Sequence, residues 1–208
     1  MSELDELRER IKGCTACGLR ATCTQVVPGG GAVNPSGVEI DPKDARILFV
    51  GEGPGKDEDK AGRPFVGRSG NLLRESIKSS GIPDSFYYIT NTVRCRPENN
   101  RDPMPDEIEA CWPWMIEVLK TLKNIKIIVP MGKPAVRTLA FKLGFQREIG
   151  QLPITKIAGK PIFLEKRGLY VYPMFHPAFA VRGNERREEF VAHLRYLGKA
   201  YTGWLQRK

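Results

Sequence analysis

A chain of 208 residues, 41% hydrophobic and 27% charged, is long enough for one well-buried core and does not call for a second domain. No apolar run approaches the ~20 residues that span a bilayer. The opening Met-Ser-Glu-Leu-Asp-Glu-Leu lacks the basic-then-apolar order of a secretory signal, so a cytoplasmic protein without a membrane partner is expected. The formal net charge of +9 is unevenly placed: residues 1–136 carry 19 Lys/Arg against 19 Asp/Glu, and residues 137–208 carry 14 against 5. A surplus confined to the C-terminal third suits a polyanion such as nucleic acid, or a solvated basic face.

Residues 3–13 have the spacing of a short amphipathic helix that runs into a Cys14-Thr-Ala-Cys17 turn. Residues 24–44, rich in Pro, Gly and Val, read as loop. The apolar run 46–50 is expected to be a buried strand, and it breaks into Gly51-Glu52-Gly53-Pro54-Gly55-Lys-Asp-Glu-Asp. Ser69 is placed to cap a helix over 70–80 that Gly81 and Pro83 close. Tyr87-Tyr88-Ile89-Thr90-Asn91 is a second strand. A polar loop to Pro105 precedes a helix over 106–122, which Pro113 is expected to kink or break. Residues 125–129 form a third strand, 134–143 a helix, and 144–168 an irregular stretch with a strand near 162–164. Residues 169–173 form a further strand that delivers Phe175-His176-Pro177, and a basic helix over 184–206 ends the chain. This alternation predicts one α/β domain over 1–208, three layers (α/β/α), with a mostly parallel central sheet.

In such sheets ligands bind beyond the carboxyl ends of the strands. Glu52 follows the first strand, Asn91 ends the second and His176 follows a late one. A carboxylate, a carboxamide, an imidazole and the aromatic Phe65 could therefore meet in one crevice, and together they suit recognition of a nucleobase. Taken singly each has a plainer explanation. Asn91 could cap a turn, Phe65 and His176 could be core, and Glu52 could be a loop carboxylate at the surface.

The five cysteines, Cys14, Cys17, Cys23, Cys95 and Cys111, are odd in number, which argues against a disulfide framework. A C-x2-C pair plus two distant thiols suits a four-thiolate site. Spacing leaves structural zinc and an iron–sulfur cluster equally open.

The segments C-T-A-C, G-E-G-P-G-K-D-E-D, G-R-P-F-V-G-R-S-G, T-N-T-V-R-C-R-P-E-N-N-R, the later Cys111 and H-P-A-F-A-V-R occur in this order along nearly the whole chain. Together they resemble family 4 of the uracil-DNA glycosylase superfamily, the iron–sulfur-containing branch. The resemblance implies a monomeric repair enzyme that takes uracil-containing DNA, flips the base out and hydrolyses its N-glycosidic bond. It implies Cys14, Cys17, Cys95 and Cys111 as ligands of a [4Fe–4S] cluster, with Cys23 left unliganded. Phe65 falls on the aromatic that stacks on uracil and Asn91 on the amide that reads the pyrimidine edge. His176 falls on the histidine near O2, and Glu52 on the acidic residue that orients or deprotonates water, with Asp57 and Asp59 as alternates. Gly51 and Gly53 belong to the same substrate-binding motif, and Gly53–Pro54 is where thymine's methyl is expected to be excluded. Ser69 and Arg182 are expected on the DNA. A related branch of the superfamily traps uracil covalently on a histidine after the third cysteine. Residues 99–105 here contain no histidine, which favours turnover. A zinc-stabilised nucleic-acid-binding module and an electron carrier are the rival readings; the second leaves Glu52, Phe65, Asn91 and His176 unused.

Overall fold

A computed structural model describes residues 2–149 and 151–205. The expected end of the last helix at residue 206 lies outside the described residues. In chain order the elements are α1 (Glu3–Lys12), α2 (Leu19–Thr22), β1 (Ile47–Gly51), α3 (Lys56–Ala61), α4 (Arg68–Ser79), β2 (Tyr87–Asn91), α5 (Pro105–Thr121), β3 (Ile127–Pro130), α6 (Lys133–Leu143), α7 (Gln146–Ile149), α8 (Ile154–Ile157), β4 (Ile162–Leu164), β5 (Leu169–Val171), α9 (Pro177–Ala180) and α10 (Asn184–Leu205).

The five strands form one sheet in the order β2-β1-β3-β5-β4, parallel except for β4 against β5. Because side chains alternate across a strand, each strand feeds two cores. Leu48, Val50, Tyr88, Ile128 and Val171 join residues of α1, α5 and α6 on one face. On the other, Ile47, Phe49, Ile89, Val129 and Tyr172 join Leu72, Leu73 and Ile77 of α4 and Phe190, Leu194 and Leu197 of α10. These are the three layers the sequence predicts. Among the described residues no helix is long and apolar enough to cross a membrane.

Three expectations need correction. Pro113 does not break α5, which runs unbroken over 17 residues. Pro113 lies on the exposed side of the helix. The carbonyl of Glu109, which loses its intrahelical donor, is also on an exposed residue and can turn to water. Ser69 is not a cap: α4 starts at Arg68 with Gly67 in the cap position. Glu58 does part of a cap's work from outside the helix, accepting the Val66 and Gly67 N–H groups at 3.0 and 3.1 Å. Ser69 is thereby moved into the first turn. Third, the irregular stretches hide the single-turn helices α2, α7, α8 and α9 and the six-residue α3. Such short pieces lack the length for a periodic signal.

The approach of α4 to the chain before it decides where Phe65 stands. A Cβ on Gly70 would lie 2.1 Å from the Phe65 carbonyl carbon and 2.6 Å from its Cα. Only glycine permits this contact. From the next turn, Arg74 donates to the carbonyls of Phe65 (3.1 Å), Pro64 (2.9 Å) and Gly31 (3.0 Å). Phe65 is held with φ +52°, uncommon for a bulky residue and an arrangement that persists only when its surroundings impose it. Gly70→Ala is therefore expected to lower unfolding stability by about 3 kcal/mol in urea denaturation and to displace Phe65. Exposed Gly203, whose Cβ would meet nothing within 4 Å, should tolerate the same change within about 0.5 kcal/mol.

Candidate active site and thiol site

The parallel sheet brings three strand ends to one edge. Gly51 at the end of β1 pairs with Asn91 at the end of β2. Beyond β3 and β5 the chains stay together through Met131 and Met174, and two residues later comes His176. Gly132, with φ +86°, has space for a Cβ only 3.1 Å from the His176 Cβ, so the crossing at this point needs glycine. Glu52, Gly53, Phe65, Asn91, His176 and Arg182 line one cleft of about 370 Å3, with Ser69 also on its wall. Gly51 lies beneath rather than on the wall. A Cβ there would lie 2.3 Å from Asn91 Oδ1 and 2.7 Å from the Phe65 ring, so its lack of a side chain lets these two close on each other. Every residue the sequence assigns to the pocket is thus at one place.

Each group has a distinct state. Asn91 is 1% exposed, and its Oδ1 is buried with no hydrogen-bond partner among the described residues. A buried amide oxygen left in this way costs about 1–3 kcal/mol unless a ligand supplies a donor. The Phe65 ring is 4% exposed and stands 5.8 Å, centroid to centroid, from the His176 ring. His176 accepts the Ala178 N–H on Nδ1 at 3.1 Å as it caps α9. That bond assigns the proton to Nε2, because a proton on Nδ1 would face the amide hydrogen. Burial pushes the His176 pKa down to about 4, with only the charge of Glu58 opposing it. At neutral pH His176 is therefore a neutral donor through Nε2.

Glu52 is locked through its backbone. Its carbonyl accepts the Val93 N–H at 3.2 Å and the Thr92 hydroxyl at 2.5 Å. Burial first, then the negative charge of Asp102 and a hydrogen bond to it, push the Glu52 carboxyl up to about 7. Neither alternate carboxylate lines the cleft. Asp59 is buried and accepts the Thr24 N–H at 2.9 Å; Asp57 stands beside Gly67 on the exposed start of α3. Glu58, which the sequence did not single out, ties Gly55, Val66 and Gly67 together and shapes the mouth. Its spacing from Gly55 is that of a helix-opening acceptor, the one signal that could have found it.

Cys14, Cys17, Cys95 and Cys111 line a second cavity, behind the first strands. Trp114 Nε1–H donates to Cys14 Sγ at 3.1 Å. Cys23 does not line it; its Sγ stays at the end of α2, 3.7 Å from the Arg20 carbonyl oxygen. Among the described residues no three His, Cys, Asp or Glu side chains converge on a single-ion position. Arg94, 1% exposed, donates from Nη1 to Cys111 Sγ at 3.8 Å and to the Thr92 carbonyl at 3.2 Å. Its Nε and Nη2 are buried without a partner. A buried guanidinium needs an anion beside it. Four thiolates on a metal centre would be one, so the donor set and the orphaned cation fit such a group.

The family model "Uracil DNA glycosylase superfamily" matches residues 38–198. The chain is 42% identical to a type-4 uracil-DNA glycosylase of Thermotoga maritima, over 88% of this chain and 87% of that one. It is 36% identical to the type-4 enzyme of Archaeoglobus fulgidus (96% and 94%) and 37% to that of Sulfurisphaera tokodaii (97% and 89%). The chain belongs to the uracil-DNA glycosylase superfamily and, within it, to the type-4 family.

Only one of the two titrations falls in the working pH range. A reaction that needs the Glu52 carboxylate gains rate as pH rises through about 7. At pH 6 it should run at roughly a tenth of its plateau. His176, with its pKa near 4, should add no inflection above about pH 5. Single-turnover rates from pH 5 to 9 check both.

Proposed function

We infer that this protein removes uracil from DNA by hydrolysing the bond between uracil N1 and deoxyribose C1′, leaving an abasic site. The observation that carries the reading is the cleft itself. One planar face (Phe65), one buried amide with an unpartnered oxygen (Asn91), one neutral imidazole donor (His176) and one half-buried carboxylate (Glu52) share its walls. A base must leave the duplex to reach such a site, and the enzyme offsets the lost stacking inside the pocket.

In the pocket Phe65 stacks on the uracil ring. The Asn91 amide accepts from N3–H and donates to O4. Cytosine offers an acceptor at N3 and a donor at N4, so both contacts become mismatched, at about 1–3 kcal/mol for each buried group left unpaired. The turn at Gly53–Pro54 packs close, a Gly53 Cβ being only 3.1 Å from Val93 Cγ2, and it excludes the 5-methyl of thymine. As the glycosidic bond breaks, its electron pair moves onto uracil N1 and O2. His176 Nε2–H donates to O2, a contact that strengthens with the developing charge. Glu52 orients water toward C1′, takes its proton and offsets the cationic sugar. No step requires a covalent bond to the enzyme.

The DNA grip comes from the same edge. Ser69 and Arg182 lie on the cleft wall, suited to the flanking phosphates. Arg186 lies 4.3 Å above the Phe179 ring, which stacks on Phe175 at 5.2 Å. This column holds α9, whose apolar residues follow His176, against the protein as a firm wedge. Basic charge in the C-terminal third supplies a salt-dependent attachment to the backbone.

Cys14, Cys17, Cys95 and Cys111 hold a [4Fe–4S] cluster, with Arg94 and the Trp114 indole as its hydrogen-bonding surroundings. The cluster's role is structural: it ties the N-terminal segment to the start of the 95–111 stretch and to α5. The four thiols line one cavity, a donor set that can supply one thiolate per iron.

The decisive assay is release of uracil from an oligonucleotide with one deoxyuridine, read by alkaline cleavage at the abasic site. His176→Ala should lower the single-turnover rate roughly 100- to 1,000-fold. Asn91→Ala should lower kcat/KM about 10- to 100-fold on uracil. No release from U:G, U:A or single-stranded substrate by cluster-loaded protein would overturn the reading in favour of a binding module. For the cluster, iron and sulfide analysis should give four of each per chain. Cys95→Ser should lose visible absorbance and unfold at a lower temperature. A colourless, zinc-containing wild type would exclude the cluster.

A further inference from the structure

Residues 90–95 run from one site to the other: Asn91 lines the cleft and Cys95 lines the thiol cavity. The segment between them is bonded to its neighbours at each step. The Thr90 hydroxyl donates to the Pro28 carbonyl at 3.2 Å. The Thr92 N–H donates to the Gly51 carbonyl at 2.9 Å, and the Thr92 hydroxyl and the Val93 N–H both donate to the Glu52 carbonyl. The Arg94 carbonyl accepts the Val27 N–H at 2.8 Å. The Thr92 carbonyl turns to the Arg94 side chain. Nη1 of that one guanidinium reaches both the Thr92 oxygen, at 3.2 Å, and Cys111 Sγ, at 3.8 Å.

Arg94 is buried to 1% exposure on the wall of the thiol cavity, with Nε and Nη2 unpartnered. None of the ion pairs among the described residues includes it. A full charge taken out of water without a partner is strongly disfavoured. Among the residues that line this cavity, only the sulfurs of Cys14, Cys17, Cys95 and Cys111 can carry negative charge. The other cation on the wall, Arg20, is half-buried and reaches Cys23 Sγ instead, at 3.9 Å. The charge of Arg94 is therefore answered from the thiol side, while the same nitrogen grips the backbone next to Asn91.

We propose that Arg94 is a positioning residue that joins the two sites: held by the thiolates, it fixes the Thr92 carbonyl and so sets the turn that presents Asn91 and Glu52 to the base. The proposal rests on the glycosylase reading and on the four-thiolate centre above. A guanidinium fork can serve a sulfur and a carbonyl at once, which a point charge does less well. Without negative charge in the cavity the guanidinium turns toward water, and the Thr92 carbonyl loses its donor. Thr92 is bonded to both Gly51 and Glu52, so its displacement is felt on both sides of the pocket. Asn91 reads the base with a buried amide, and a misplacement of about 1 Å at such a contact lowers the rate roughly 100-fold.

The test compares cluster-loaded wild type, Arg94→Lys and Arg94→Met. Hydrogen–deuterium exchange read by mass spectrometry follows a peptide over 90–95 and, as control, one over β3. In Arg94→Met the 90–95 amides should exchange about 10-fold faster with β3 unchanged, because only local opening has become easier. Visible absorbance should decay about 10-fold faster under chelator in Arg94→Met. In Arg94→Lys, which keeps the charge, the decay should stay within about threefold of wild type. Single-turnover uracil release should fall roughly 10- to 100-fold in Arg94→Met. A residue that merely fills space predicts the opposite order, since Met packs into an apolar wall and an unpaired Lys does not. The proposal is overturned if 90–95 and β3 speed up together, if neither changes, or if Arg94→Met keeps its absorbance as long as Arg94→Lys. Should Arg94→Met not fold, Arg94→Gln takes its place with the same expectations. A wild type that releases no uracil sinks the glycosylase reading, and a colourless one the cluster. In either case the exchange of 90–95 against β3 still decides whether Arg94 holds the turn.

Discussion

Everything in the cleft depends on how closely main chain and side chain approach at two glycines. Gly51 leaves no Cβ between Asn91 and Phe65, and Gly70 leaves none between α4 and the Phe65 backbone. Both distances would fall below 3 Å with any larger residue, well inside van der Waals contact. These contacts set how closely the Asn91 amide and the Phe65 ring approach at the base of the cleft. Arg74 adds three hydrogen bonds that hold Phe65 in a strained backbone conformation. The strain is tolerated because neighbouring contacts over-determine it.

The electrostatics of the cleft follow from burial more than from charge pairing. His176 is kept neutral by burial and by the Ala178 amide on Nδ1. A neutral donor favours the leaving base as it becomes an anion and does not attract other anions in the ground state. Burial raises Glu52 as well, and Asp102 adds to it. His176 is thus uncharged and Glu52 only partly charged near neutral pH.

The thiol cavity and the cleft are linked by a single stretch of chain. Cys95 begins it and Cys111, one turn beyond Glu107 on α5, ends it. Glu107 anchors Arg101, and Arg101 lines the cleft that holds Glu52. A group held by Cys95 and Cys111 together with Cys14 and Cys17 would therefore also limit the freedom of the residues between them.

The layered sheet, the strand ends and the residues at them were legible in the sequence, because buried strands and their breaking loops leave a local pattern of apolar runs and glycine. Glu52, Phe65, Asn91 and His176 could be named from that pattern and from the motifs around them. The roles of Arg74, Arg94 and Gly132 could not. Each acts on a partner far away in sequence, as Arg74 does on Gly31 and Gly132 on His176, and no periodicity records such a contact. Ser69 and Pro113 were misread for the same reason. A cap can be supplied from another helix, and a missing hydrogen bond matters only where water cannot replace it. The sequence alone determined which chemical groups the protein carries and the order in which the strands present them. Only tertiary packing decided which groups touch, and so their protonation, because desolvation and the approach of a second charge depend on distance through space and not on position along the chain.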